Sequence, residues 1–210
     1  MTRRDLVGIN RRNVELVYAE NPRRFYPIAD DKLLCKEHLE RAGVPMASTI
    51  VTCGGLADVP RTLAALATHE QFVLKPAHGS GGAGIVVVGA RVAPGTWRRA
   101  GGALITMRDL HRALAEIVFG RFSGDLSDRA FVEERIAPHP LYVELWADGL
   151  CDLRVITHRG TPVMAMVRVP TAQSGGRANL HQGGLGLAID LATGHTTRGF
   201  HRGRAVTHHP

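Results

Sequence analysis

The stretch Phe72-Val-Leu-Lys-Pro-Ala-His-Gly-Ser-Gly-Gly-Ala-Gly-Ile85 decides the fold of this 210-residue chain. An apolar run ends in Lys75 and Pro76, four glycines follow within six positions, and a second apolar run, 85–88, begins at once. Apolar, β-branched runs separated by turn residues are typical of neighbouring strands, so the stretch predicts a hairpin with a glycine-rich loop. Lys75 then lies at the end of the first strand and faces whatever the loop covers.

This loop is suited to an anion. Where side chains are absent or small, as at Gly79, Ser80, Gly81, Gly82 and Gly84, successive backbone N–H groups can converge on one ligand. The preceding lysine adds a point charge for a phosphate oxygen. The stretch fits neither the phosphate loop, because its lysine precedes the glycines, nor the dinucleotide fingerprint, because no helix follows. A mobile surface hairpin is the alternative, but it explains only the glycines and not the lysine–proline pair.

The composition limits the class of protein. With 44% hydrophobic residues, the chain can bury the core of one ordinary domain or two small ones. No apolar run is long enough to cross a bilayer and no signal-type stretch follows the first residues, so we expect no membrane association. The net charge of +7 suits an anionic ligand. Nucleic acid is a weaker alternative, because the basic residues form no single tract and only 5% of the chain is aromatic.

The cysteines and histidines indicate no metal site. Cys35, Cys53 and Cys151 are scattered and odd in number, which favours neither a disulfide framework nor zinc, so a reducing cytoplasm is the expected location. The histidines near the C-terminus, His201 and His208 among them, have no recognised metal spacing. We therefore assign no metal ligand within the chain.

The order of predicted elements indicates an α+β fold with a seam near residue 134. We divide the chain into a basic segment, 1–29, a mixed part, 30–133, and a mainly antiparallel part, 134–210. In the second part, Asp30 or Asp31 caps a helix that ends at Gly43. Other predicted helices are Asn13–Glu20, 56–66 and Asp109–Phe119; predicted strands are Ser48–Thr52, the two hairpin strands, Ala130–Ile136, Cys151–Thr157 and Pro162–Val169; Pro94–Gly102 is expected to be irregular and Ala192–Gly194 to be a hairpin turn.

Two arginines lie on strands where the alternation of side chains decides their direction. Arg154 follows Leu153 and precedes Val155, so it points away from the core if those neighbours face it. Arg168 lies between two valines in the same way. We expect both arginines to face a cleft.

Several segments, in this order, resemble the ATP-grasp superfamily. Asp31-Lys32, at the mouth of a helix, resembles the first ATP lysine of that family, and Lys75 with its glycine loop resembles the second. Phe131–Ile136 resembles the hinge strand that holds the adenine edge. The strands over 152–168 resemble the pair that directs arginines at the transferring phosphate, and Gly176–Gly184 resembles the asparagine-and-glycine loop that follows. Within the superfamily, the chain is most similar to the α-L-glutamate-ligase-like group, related to ligases that add glutamate to ribosomal protein tails.

The resemblance implies an ATP-grasp fold of two α+β subdomains with the nucleotide between them. It implies that the glycine loop closes over ATP and that two arginines contact the γ-phosphate and an acyl phosphate. Glu133 and Glu134 alternate faces of one strand, and one of them can be ordinary surface charge. Lys32 can likewise be a solvated first-turn lysine, although a positive charge there is unfavourable against the helix dipole. The implied nucleotide-binding residues are Lys32, Lys75, Gly79, Ser80, Gly81, Gly82, Gly84, Glu133, Glu134, Ile136 and Asn179; the implied catalytic residues are Arg154 and Arg168.

The implied reaction joins a carboxylate, such as that of glutamate, to an amine or peptide with ATP and Mg²⁺. The chain departs from the family because the late acidic metal-binding motif is missing, and its last acidic residue is Asp190. We therefore expect the principal Mg²⁺ ligands beyond residue 210, an incomplete second subdomain, and exposed core surface that favours association between copies. A nucleotide-binding module without turnover, or an inactive fragment, is the alternative.

Overall fold

The computed structural model describes residues 7–146, 149–174 and 176–210, and the chain divides after Met46 into two compact units. The first unit is helical. Helix α1 (Ile9–Arg12) continues into a π-helical stretch, and α2 (Tyr26–Asp30) is followed directly by α3 (Lys32–Arg41). The Asp31 carboxylate accepts hydrogen bonds from the backbone N–H groups of Leu33 and Leu34, so Asp31 is the predicted cap of α3.

The second unit contains two antiparallel sheets. The first sheet has six strands in the order β1-β6-β2-β3-β4-β5. Its central pair, β2 and β6, brings residues more than 50 positions apart into register, with Leu74 opposite Val132. The bounds are β1 Thr49–Cys53, β2 Phe72–Pro76, β3 Val86–Ala93, β4 Thr96–Arg99, β5 Leu104–Thr106 and β6 Ala130–Glu133.

Helices α4 (Val59–Leu66) and α5 (Met107–Val118) cover one face of this sheet. Thr106 begins α5 with a capping box, in which its hydroxyl accepts from the Asp109 N–H and the Asp109 carboxylate accepts from the Thr106 N–H. Aliphatic side chains from α5 pack against the strands around the fully buried Trp97. This face is therefore the main hydrophobic core.

The second sheet has five strands in the order β11-β10-β9-β8-β7. Its core is small: Val167, Val169 and Leu185 are buried. A short helix, α6 (Pro140–Leu145), precedes it. The strand bounds are β7 Asp152–His158, β8 Thr161–Val169, β9 Leu185–Ile189, β10 Thr196–His201 and β11 Arg204–Val206.

The structure confirms an α+β fold and corrects several element boundaries. The predicted irregular stretch Pro94–Gly102 contains β4, and the predicted strand Ala130–Ile136 ends at Glu133. Strand β4 was not predicted because a four-residue strand carries little periodic signal. It is stabilised by a distant contact, that of Trp97 with Phe72, ring edge to ring face. The predicted seam near residue 134 falls between the two sheets, and the proposed division at 29/30 and 133/134 stays a prediction. Within the described residues, no helix is long and apolar enough to cross a membrane.

Candidate functional site

The glycine-rich loop 79–84, which we call the lid, lies against Phe122. At Gly84 the backbone has a φ of +74°, and a Cβ there would lie 2.6 Å from the Phe122 ring. At Gly79 φ is +105°, and a Cβ would lie 2.9 Å from the Phe122 carbonyl oxygen. Both positions therefore require glycine, for conformation and for space. The lid therefore packs closely against Phe122 and is not merely a polar connection between two strands.

The lid contacts the segment 176–184, which precedes β9. The side-chain amides of Asn179 and Gln182 each donate a hydrogen bond of 3.3 Å to the Gly81 carbonyl oxygen. Asn179 is itself oriented by the His181 N–H, which donates to its side-chain oxygen at 3.0 Å. Asn179, a predicted site residue, is thus brought to the lid, whereas Gln182 was not predicted.

Lys75 and Glu133 form an ion pair between β2 and β6. The Glu133 side chain is only 7% exposed and that of Lys75 is 28% exposed. Because side chains alternate along a strand and Leu74 points into the helix-covered core, Lys75 points to the opposite face, at the base of the lid. A nearly buried carboxylate therefore fixes the lysine where the lid begins.

Sequence reasoning missed a second side-chain pair beside the lid, between His78 and Asp128. The Asp128 carboxylate, which is fully buried, accepts from both the backbone N–H of His78 and its ring Nδ1, the latter at 2.8 Å. It also accepts from the Arg129 N–H at 2.7 Å. His78 and Asp128 are 50 positions apart, so no local pattern predicts this pair. The one signal in the sequence is that His78 lies directly before the first glycine of the lid. The pair fixes the backbone at the point where β2 passes into the lid.

Arg154 and Arg168 share one face of the β7–β8 hairpin. Arg168 lies opposite Asp152, and Arg154 lies opposite Met166, one pleat further along the same face. Arg168 forms a two-pronged ion pair with Asp152, with Nε 2.6 Å from Oδ1. Donation to this carboxylate raises the pKa of Arg168 above its ordinary value. Arg168 is therefore held as a cation in a defined direction.

Arg154 was expected to face a cleft because its neighbours on β7 were expected to face a core, and that expectation was wrong. Leu153 and Val155 do not face a core: their exposed fractions are 59% and 49%. Arg154 is itself exposed. β7 is the edge strand of the second sheet, and six of its seven residues are exposed, so neither of its faces packs against a core. Arg168 differs, since its neighbours Val167 and Val169 are buried as expected, and the catalytic assignment of both arginines stays a prediction.

The remaining predicted residues lie after β6 and in the first unit. Glu134 is exposed, and its backbone N–H donates to the Ser48 carbonyl oxygen at 2.9 Å. Ile136 is 53% exposed, beyond the end of the strand. Lys32 is the first residue of α3 in the first unit. Their contacts with a nucleotide stay predictions.

A comparison with protein families decides the class of this fold. The model of the sugar-transfer associated ATP-grasp family matches residues 11–210. The chain belongs to this ATP-grasp family. No curated protein matches the chain. ATP-grasp proteins are generally ATP-dependent ligases, so ATP binding and ligase-type activity are expected of it, whereas the match does not confirm the glutamate-ligase-like group.

The site of this ATP-grasp chain fits an anionic nucleotide better than it fits a metal. A lysine fixed at the base of a glycine lid offers positive charge and N–H groups to phosphate oxygens. The described residues contain no group of three or more His, Cys, Asp or Glu side chains that could hold a metal ion. Glu133 and Asp152 are each paired with one of the predicted phosphate contacts, Lys75 and Arg168 respectively. The described residues therefore contain no preformed cluster of three metal-ligating side chains, and the position of the Mg²⁺ ligands stays a prediction.

Proposed function

We propose that the chain is an ATP-dependent carboxylate–amine ligase that works through an acyl phosphate. A carboxylate is unreactive towards an amine because its leaving group would be oxide. Attack of a carboxylate oxygen on the γ-phosphorus of ATP releases ADP and gives an acyl phosphate. The amine then forms the amide bond and expels phosphate. The chain's contribution would be to position the reactants and neutralise their charge, as in other phosphoryl transfers.

The observation that carries this proposal is Lys75 at the base of the lid, fixed by Glu133. In our proposal Lys75 and Lys32 contact the α- and β-phosphates. The lid covers them, and Asn179 holds it closed through the Gly81 carbonyl oxygen. The segment Glu133–Ile136 would accept the adenine edge.

Arg154 and Arg168 would contact the γ-phosphate and the acyl phosphate in this scheme. Their shared face supports the assignment, because two guanidinium groups one pleat apart can contact oxygens of the same phosphoryl group. Arg168 would have to share or exchange its Asp152 partner for phosphate. That exchange would leave the Asp152 carboxylate without its arginine partner when ATP is bound.

Two kinds of similarity suggest candidate substrates. Resemblance to the glutamate-ligase-like group favours an acidic amino acid such as glutamate, joined to an amine or peptide. The family description, sugar-transfer associated, favours a second candidate: a carboxylate or amine carried by a sugar. A nucleotide-binding role without turnover is a third candidate, supported by the lack of a metal-ligand cluster among the described residues. A cytoplasmic location stays a prediction from the scattered cysteines.

Release of ADP tests the proposed function. The chain is incubated with ATP, Mg²⁺ and a panel of amino acids and amino sugars, and hydroxylamine is added to trap acyl phosphates as hydroxamates. A ligase gives hydroxamate with one carboxylate and loses that product in Lys75→Ala but not in Lys36→Ala, a matched loss of one lysine. ADP binding without hydroxamate or ADP release would support the binding module and contradict the ligase.

A further inference from the structure

A cleft of about 390 Å³ lies behind the lid, on the face of the first sheet that carries α5. Val86 lines this cleft and pairs opposite Leu74, and both side chains belong to the helix-covered core. Lys75, the next residue, points to the other face. The cleft is therefore separate from the site described above, although the two share the lid as a wall.

Three arginines from different parts of the second unit meet at this cleft: Arg99 from β4, Arg112 from α5 and Arg177 from the segment before β9. Within the described residues, Arg99 and Arg112 make no ion pair with a carboxylate. Convergent cations repel one another, and an anion between them reduces that repulsion.

Two acidic residues also line the cleft, and both are engaged elsewhere. The Asp109 carboxylate accepts from the backbone N–H and hydroxyl of Thr106 in the cap of α5, at 2.9 and 2.7 Å. Glu116 forms an ion pair with Arg121. The arginines therefore leave the cleft with a surplus of positive charge.

The floor of the cleft is apolar. It is formed by Ile85, Ile105, Ala113 and the ring of Phe122, on which the lid rests. A bare inorganic anion would leave this floor exposed to water, whereas an organic anion could cover it. Arginine presents paired N–H donors that match the two oxygens of a carboxylate. The ligand that suits both features is a small carboxylate with an apolar face.

We propose that this cleft, which we call the anion cleft, binds a carboxylate-bearing organic ligand such as a sugar acid, and that its occupancy favours the closed lid. The coupling follows from the walls: Gly82–Gly84 of the lid form one side, and Arg177 and Gln182 form another. Gln182 also donates to Gly81. A ligand that contacts both walls stabilises their present arrangement, and by linkage a closed lid binds that ligand more tightly. Only the effect on nucleotide affinity rests on the proposed function.

The binding test uses glucuronate as the probe, titrated by calorimetry at low salt, with glucose and inorganic phosphate as comparisons. We expect glucuronate to bind and glucose not to. Arg112→Gln and Arg99→Gln should each weaken binding at least about tenfold, because each removes a charged hydrogen-bond donor. Arg108→Gln, which removes a charge from α5 outside the cleft, is the matched control and should retain the parent affinity.

Several outcomes would overturn the proposal. The anion cleft is not a specific carboxylate site if glucuronate does not bind at about 10 mM or if phosphate binds with equal affinity. The same holds if Arg108→Gln weakens glucuronate binding as much as Arg112→Gln and Arg99→Gln do. Loss of glucuronate binding in Lys75→Ala would show that glucuronate binds at the nucleotide site and not in the anion cleft. Retention in Lys75→Ala separates the two sites, so failure of the ligase proposal leaves this one standing.

Hydrogen exchange of the parent protein provides a measurement that needs no variant. Saturating glucuronate should slow amide exchange over 80–83, and glucose should not. Unchanged exchange in the presence of bound glucuronate would refute the coupling. If the ligase proposal also holds, glucuronate should raise ADP affinity in the parent and not in Arg112→Gln.

Discussion

The ion pair between Lys75 and Glu133 allows the stability of the site to be separated from its binding function. Glu133 is nearly buried, so removing Lys75 takes a cation away from a carboxylate that water reaches poorly. Loss of one member of a fully buried pair costs about 3–5 kcal/mol of unfolding free energy. Because Lys75 keeps 28% of its side chain exposed, we expect a smaller cost for Lys75→Met, about 2–3 kcal/mol.

The reverse substitution should be milder. In Glu133→Gln the unpaired group is the partly exposed lysine, which can turn towards water, so we expect a cost of about 1 kcal/mol. The double variant replaces both charges and should unfold within about 1 kcal/mol of the parent. The coupling energy of the cycle is then at least about 2 kcal/mol.

Denaturant unfolding of the four proteins gives the free energies of this cycle, and thermal unfolding gives the corresponding shifts in Tm. For a chain of this length, Lys75→Met should lower Tm by about 4–12 °C and the double variant by no more than about 4 °C. Both should lose ADP binding, although only the single variant is strongly destabilised. Strictly additive effects would refute the buried pair, since they would mean that Lys75 and Glu133 do not depend on each other in the folded state.

Three further predictions concern the lid and the helix cap. Gly84→Ala should destabilise the protein more than Gly81→Ala, because a Cβ at Gly84 meets an aromatic ring at 2.6 Å and one at Gly81 meets nothing closer than 4.0 Å; equal thermal shifts would contradict the packing of the lid. Asp128→Asn should lower Tm by about 4–10 °C, because the buried carboxylate accepts from several donors that an amide cannot all satisfy; an unchanged Tm would exclude that role. Hydrogen bonds from the cap lower the pKa of Asp109, so its stabilising effect is present above the unfolded pKa of about 3.9 and is lost as pH falls through the folded pKa. The Tm difference between the parent and Asp109→Asn should therefore be present at neutral pH and absent in strong acid, and a difference that persists there would contradict the assignment.

The sequence allowed the hairpin and the lid to be predicted because both depend on local chemistry. β-Branched residues favour strands, and four glycines between two such runs leave few alternatives. Helix α3 was predicted because Asp31 caps it within three residues. These features need no knowledge of the rest of the fold.

The features that sequence reasoning missed depend on distant contacts. Strand β4 has four residues, and its buried tryptophan is recognisable only beside Phe72. The partner of His78 lies 50 residues away, and that of Arg168 lies 16 residues away across a hairpin. Alternation was an unreliable guide for Arg154, because β7 is an edge strand with little to pack against.

The central claim is that this chain binds an adenine nucleotide at Lys75 and the lid, and calorimetric titration with ADP tests it most directly. The account predicts saturable binding to one site in the parent and in Lys36→Ala, and at least about a tenfold loss in Lys75→Ala, because a charge-assisted phosphate contact is removed from a partly dry site. Equal ADP affinity in the parent and Lys75→Ala, or no ADP binding by the parent, would contradict it.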